Sequence, residues 1–230
     1  MRRLILFDVD GTLLSTNGEA GRALGVALRE TFGTAGPIDG YSFAGKTDPQ
    51  IVFELTAAAG IARAEAAPRV PEVFERYCGH LEAALSGSNT RALPGVLDVL
   101  AALEARGDCA VGLLTGHIRA GAGIKLRAAG LDGRFGIGAF GSDEEDRNRL
   151  VPVARARALE RWGLEFPGTA TVVIGDAEND IRCARAGGAR SVAVASSKTP
   201  RERLAALGPD ALLDSLASPG ALAAVLGPDG

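Results

Sequence analysis

Leu4 to Phe7 is a continuous apolar run that stops abruptly at Asp8-Val9-Asp10-Gly11. A strand apolar at consecutive positions has to be covered on both faces, which describes an interior strand of a parallel sheet. The pattern returns at Ala110 to Leu114, followed by Thr115-Gly116, and at Thr171 to Ile174, followed by Gly175-Asp176. Gly136 to Phe140 and Ser191 to Ala195 repeat it, the first more weakly. Helical periodicity fills the intervals. Leu93-Pro94-Gly95-Val96 leads a helix that stops at Gly107, and others are predicted over Ile118 to Ala129, Asn148 to Trp162 and Glu178 to Ala186. Pro200 and Pro219 stand where first-turn prolines belong and open two more helices around a short strand, Ala211 to Leu213. Repeated strand–helix units imply an α/β fold, a mostly parallel sheet wrapped by helices on both faces.

Residues 15 to about 88 interrupt this alternation. Leu24, Leu28, Thr31 and Phe32 fall at helical spacing before Gly33. Thr47-Asp48-Pro49 caps and opens a second helix with the stripe Ile51, Val52 and Leu55, and a third runs from near Pro71 through Val73, Phe74, Tyr77 and Leu81. No strand is predicted here. The polar stretch Ser86-Gly87-Ser88-Asn89 is a linker back to the α/β pattern. The expected organisation is therefore a core domain of residues 1–14 and 89–230, with an all-helical domain of residues 15–88 inserted after the first strand.

Composition narrows the function classes. Of 230 residues, 25 are basic and 28 acidic, so there is no polybasic field for nucleic acid or anionic lipid. No run approaches the ~20 apolar residues of a membrane span, and Asp8 cuts the N-terminal run too short for a signal sequence. Three cysteines without CxxC spacing suggest neither disulfides nor zinc, and point to a reducing cytoplasmic setting.

Ligands of open α/β sheets bind at the carboxyl ends of the strands, so the polar residues there carry the chemistry. Asp8-Val9-Asp10-Gly11-Thr12-Leu13 offers two carboxylates leaving a strand into a glycine turn, although Asp and Gly also serve as ordinary turn formers. Leu114-Thr115-Gly116 offers a hydroxyl and a flexible backbone at a strand end. In Gly175-Asp176-Ala177-Glu178-Asn179-Asp180, Asp176 ends a strand and Asp180 lies on the opening turn of a helix, a pairing suited to a hard cation such as Mg²⁺.

These three motifs, in this order and each at a strand end, resemble the haloacid dehalogenase superfamily, and most closely its helical-cap group of phosphoglycolate phosphatase and β-phosphoglucomutase type. The resemblance runs from residue 4 to about 195 and includes LPGV at Leu93 and AGL at Ala129. It implies a Rossmann-like core with a helical cap, acting as a Mg²⁺-dependent phosphatase on a small phosphorylated metabolite. By the same resemblance Asp8 is the nucleophile that forms an aspartyl phosphate, and Asp10 is acid and base. Asp8, the backbone carbonyl of Asp10, and Asp176 hold the metal, with Asp180 as a direct or neighbouring ligand; Thr115 and the Gly116 N–H bind phosphate oxygens. Monomer and homodimer both fit this group.

One departure from the group concerns the phosphate-balancing cation, normally a lysine followed by proline before the last motif. Lys125, ten residues past Thr115 and inside a helix, looks too early, so Arg147 in Asp143-Glu144-Glu145-Asp146-Arg147-Asn148-Arg149 is the expected substitute, with Arg149 second. Lys46, between two cap helices, is a candidate for the anionic end of the substrate, and His117 for a supporting place beside Thr115-Gly116. His80 is expected on the cap surface, and the cysteines and Trp162 in the core. A phosphomutase would carry the same motifs. A receiver-type phospho-acceptor would be about half as long and lack the cap.

Overall fold

Six parallel strands form one sheet, described here from a computed structural model covering residues 2–87, 89–196 and 199–227. Their order is β5 (Ile137–Phe140), β4 (Cys109–Thr115), β1 (Arg3–Phe7), β6 (Thr171–Gly175), β7 (Arg190–Val194) and β8 (Ala211–Leu213). β1 is interior, paired with β4 and with β6, and Phe7 stands level with Leu113 on one side and Ile174 on the other. The chain builds outward from β1 through β4 to β5, then returns to start the other half at β6. This reversal leaves a crevice at the carboxyl ends of the central strands, where such folds bind ligands.

The two-residue period of the strands sorts their side chains into two cores. Ile5 and Phe7 of β1 join Val111, Leu113, Val172 and Ile174 beneath α5 (Val96–Arg106) and α10 (Ala221–Leu226). Leu4 and Leu6 join Leu114 and Val173 beneath α7 (Leu150–Trp162) and α8 (Glu178–Ala186). All four apolar β1 residues are inaccessible, each worth roughly 1.5–3 kcal/mol of burial, so β1 is a firm platform for the aspartates that follow it. α6 (Arg119–Ala128) follows β4, and α9 (Arg201–Ala206) precedes β8.

The helical segment packs around a third apolar cluster. α1 (Glu19–Phe32), α2 (Asp48–Ala58) and α4 (Val70–Ala84) contribute Leu24, Leu28, Val52, Leu55, Tyr77 and Leu81. Thr47 caps α2 by accepting the Gln50 N–H, as the Thr-Asp-Pro sequence predicts. Ile118 and Ile124 beside and within α6 complete the cluster, so the helical segment and the sheet domain share apolar contacts. A short helix, α3 (Arg63–Ala66), and a 3-10 turn precede α4; four residues are too few to show periodicity in the sequence. The expectation of no strand in this segment needs one correction: β2 (Leu14–Ser15) pairs antiparallel with β3 (Arg91–Ala92) where the chain leaves the core and returns. Two residues leave no alternation to read. Ser88 of the expected linker lies outside the described residues. Among the described residues no helix is long and apolar enough to cross a membrane.

Candidate active site

Asp8, Thr115 and Asp176 emerge side by side because β1, β4 and β6 are neighbours in register. The Asp8 N–H continues the ladder by donating to the Ile174 carbonyl at 2.9 Å. Carboxylate oxygens of Asp8, Asp176 and Asp180 then lie within 4.8 Å of one another, and all three residues are buried. Gly11 makes the approach feasible. Its φ is +80°, and a Cβ there would stand 2.5 Å from an Asp176 carboxylate oxygen, so neither backbone nor space admits a side chain. Thr12 Oγ1 donates to Asp176 at 3.2 Å. Asp180 accepts from the Ala177 N–H at 2.9 Å and from Arg147. Burial raises the Asp180 pKa; Arg147 opposes this and the Asp8 carboxylate adds to it. Three hard oxygen donors, two just past the ends of β1 and β6 and one on the first turn of α8, converge in a cradle kept open by a glycine and fit a hard divalent cation.

Arg147 reaches this cluster from the other direction. The loop after β5 is anchored by Asp143, which accepts the Phe140 N–H at 2.8 Å and a two-pronged ion pair from Arg157. Asp146 then caps a 3-10 turn, Arg147–Arg149, by accepting the Asn148 N–H at 3.0 Å. The turn directs Arg147 inward. Only 5% of its side chain is exposed, and Nη2 contacts Asp180 and lies 3.1 Å from Asp8 Oδ1, while Nε is buried without a partner among the described residues. Burial would lower its pKa, but Asp180 and Asp8 raise it further, so it remains a fixed cation. Arg149, the second choice, is 69% exposed and pairs with Glu144 at 3.6 Å, so it does not join the cluster.

The Asp10 carboxylate turns away from the three acids and meets a residue expected to be out of reach. Lys125 Nζ donates to Asp10 Oδ2 at 2.6 Å and is wholly inaccessible. Distance along the chain misled the sequence reading, because Cβ bonds in a helix tilt toward its N-terminus. A lysine two turns into α6 therefore extends back toward the strand ends. The signal that finds it is helical position: Lys125 shares the buried face of α6 with Gly121, Ala122 and Ile124, where an apolar residue would be expected.

His117 bridges Asp10 to the helical segment. Its Nε2 lies 3.2 Å from Asp10 Oδ2 and 2.9 Å from Lys125 Nζ, and its Nδ1 lies 3.3 Å from Asp48 Oδ1. Burial and the Lys125 ammonium oppose protonation of His117, yet Asp48 and Asp10 outweigh them and hold its pKa up at about 9. Burial would likewise raise Asp10, but Lys125 and His117 hold it well below the usual carboxylate range. Two carboxylates and two cations thus face one another. Tyr77 of α4 packs nearby, its phenol pushed well above its ordinary pKa by burial and by the charges of Asp48 and Asp10.

Thr115 is buried, and the loop Gly45–Asp48 is docked over Gly116. The Asp48 N–H donates to the Gly116 carbonyl at 2.7 Å, Asp48 Oδ2 accepts the Ile118 N–H at 2.8 Å, and Thr47 Oγ1 donates to the Glu145 carbonyl at 2.7 Å. Any Cβ at position 116 would overlap the Lys46 carbonyl oxygen. Lys46 itself is engaged: Nζ is 2.5 Å from Glu54 and 3.0 Å from the Tyr41 hydroxyl, and it lies over the Tyr41 ring. His80 is on the surface paired with Glu30, as expected. Cys183 is buried, whereas Cys78, Cys109 and Trp162 are only partly so.

A family profile described as haloacid dehalogenase-like hydrolase matches residues 2–188. Among curated proteins, the chain is 28% identical to a phosphoglycolate phosphatase of Synechococcus elongatus, over 92% of each chain. It is 31% identical to a phosphoglycolate phosphatase of Xanthomonas campestris, over 83% of this chain and 82% of the other. Among solved structures, CbbY from Rhodobacter sphaeroides in complex with phosphate shares the fold at 22% identity, with TM-score 0.68 over 99% of this chain and 100% of that one. A hydrolase from Pseudomonas syringae does so at 21% identity, with TM-score 0.68 over 94% and 95%.

Proposed function

The chain belongs to the haloacid dehalogenase-like hydrolase family, and we propose that it is a Mg²⁺-dependent phosphatase of small phosphorylated metabolites, with phosphoglycolate the first candidate substrate. The observation that carries this reading is the convergence of Asp8, Asp176 and Asp180 beside a separate, ion-paired Asp10. One carboxylate set suits a metal and a nucleophile; the isolated one suits proton transfer.

In this reading an Asp8 oxygen attacks phosphorus, and the bond from phosphorus to the ester oxygen breaks with its electron pair staying on that oxygen. Asp10, ionised in the resting site, takes up a proton from solvent as the ester binds and passes it to that oxygen, so that a neutral alcohol leaves. Water then attacks phosphorus of the aspartyl phosphate, Asp10 takes its proton, and the Asp8 carboxylate and inorganic phosphate separate. Asp8, Asp176 and the Asp10 carbonyl, with Asp180 alongside, would hold a divalent cation, whose positive charge would let a carboxylate approach a phosphate dianion. Arg147 orients Asp8 and offsets phosphate charge, and Thr115 and the Gly116 N–H donate to phosphate oxygens. Residues 15–88 act as the cap that closes the site from water. Lys46 meets the distal anion of the substrate, which has to compete with Glu54 for it. A cytoplasmic setting and a monomer or homodimer accompany this assignment.

The test is phosphate release from a panel containing phosphoglycolate, sugar phosphates and nucleotides. Release with Mg²⁺ that stops on chelation is the expected result. No release from any ester by folded protein would overturn the reading, and isomerised sugar phosphate without free phosphate would replace it with a mutase.

A further inference from the structure

Lys125 is a costly side chain to bury where it stands. An ammonium with no accessible surface is tolerated only when paired, and a helix face shared with Gly121, Ala122 and Ile124 would hold a leucine without cost. Its pairing is specific. Nζ donates to one oxygen of Asp10, Oδ2, which also lies 3.2 Å from His117 Nε2, while the other oxygen, Oδ1, is buried and has no partner among the described residues. His117 is itself braced by Asp48, which the backbone N–H of Ile118 and the Gly116 carbonyl fix in place.

We propose that Lys125 is a positioning residue for Asp10: with His117 it clamps Oδ2 so that Oδ1 is the oxygen that carries the proton to and from the ester oxygen. Asp48 of the docked loop is the outer support of that clamp. The inference rests on the proposed phosphatase reaction. It separates the two cations of the site by task, since Arg147 contacts Asp8 and Asp180 whereas Lys125 contacts Asp10.

A misaimed acid hurts a reaction in proportion to how badly the leaving group needs a proton. The experiment is therefore Lys125→Met, which keeps chain length and volume and removes the charge, assayed on phosphate esters whose alcohols span alkyl to nitrophenyl. Positioning predicts kcat on the alkyl ester falling ~30- to 100-fold, within the range general-acid catalysis supplies. The nitrophenyl ester should lose less than ~5-fold and KM should change little, so that log kcat depends more steeply on leaving-group acidity than in the unaltered enzyme. Equal losses across the series would make Lys125 a phosphate-balancing cation or a folding residue, and no loss would make it inert; either result overturns the proposal. Should Lys125→Met fail to fold, Asp48→Asn probes the clamp from its outer end. The same steepening, at roughly tenfold on the alkyl ester, supports the proposal, and parallel losses overturn it. If the unaltered protein hydrolyses none of the esters, the phosphatase reading has failed, which is a different result from a flat series.

Discussion

The two cations of the site differ in how they arrive and in what they depend on. Arg147 comes from a loop of the α/β domain, and its contacts, Asp8 and Asp180, belong to that domain too. Lys125 comes from a helix, and its partner His117 leans on Asp48 of the inserted segment. One half of the site is complete within the sheet domain. The other is finished by a loop docked from outside, so in the proposed reaction attack on phosphorus and protonation of the leaving group would answer to different parts of the chain.

The largest effects should fall on the first half. Asp8→Asn removes the attacking oxygen's charge and should abolish both turnover and covalent phosphate incorporation, read by mass spectrometry after acid quench. Asp10→Asn should still accept phosphate from a nitrophenyl ester while alkyl esters become nearly inert. If Asp10→Asn stopped both esters equally, the division of the site would not stand.

Next comes Arg147→Ala. Removing one preorganised donor of charge should lower kcat/KM by more than ~100-fold, and by similar factors on alkyl and aryl esters, because Asp8 and the phosphoryl group are common to both. Arg149→Ala is the control and should stay within about twofold, its side chain being exposed and outside the cluster. A leaving-group-dependent loss in Arg147→Ala would contradict the separation drawn between the cations.

Much of the first half was legible in the sequence, for a physical reason. Strands buried on both faces have to be apolar, so their ends are marked by the first polar residue, and Asp8, Thr115 and Asp176 are those residues. Arg147 was reached through the family resemblance, which implies a cation at the start of the helix before the last motif, and Arg147 is the first basic residue of the stretch that stands there. Lys125 was not, since counting residues from Thr115 ignores the backward tilt of helical side chains. The Lys46–Glu54–Tyr41 contact was hidden for another reason: Glu54 is only one turn and a half along α2, but nothing in the sequence says which face of α2 the preceding loop lies on. The two-residue strands β2 and β3 were invisible because a period needs repeats.

That contact sets a smaller prediction about substrate choice. Lys46→Ala should raise KM for a substrate with a distal carboxylate on the order of tenfold, about 1.4 kcal/mol, with kcat largely kept. Glu54→Gln should lower the same KM by freeing the ammonium. Movement of both values in one direction would show that the pair supports the loop and does not meet the substrate.

The smallest effect is on stability, and it should differ in sign between the halves. Asp143 anchors the loop that delivers Arg147; burial would raise its pKa, but the Arg157 pair and the Phe140 N–H outweigh that and lower it. A depressed carboxylate contributes stability that is present above its unfolded-state pKa and lost as pH falls through the folded value. His117 on the other half is raised to about 9, so its contribution is complete below its ordinary pKa of about 6.5 and disappears as pH rises through 9. Thermal melts of metal-free protein should therefore show an Asp143→Asn deficit of a few °C that closes on acidification, and a His117→Asn deficit that closes toward pH 9 to 10. For a chain of this length a few °C corresponds to about 1 kcal/mol. A deficit that stayed constant with pH in either variant would mean that the side chain contributes through shape alone, and the electrostatic contrast between the two halves would be lost.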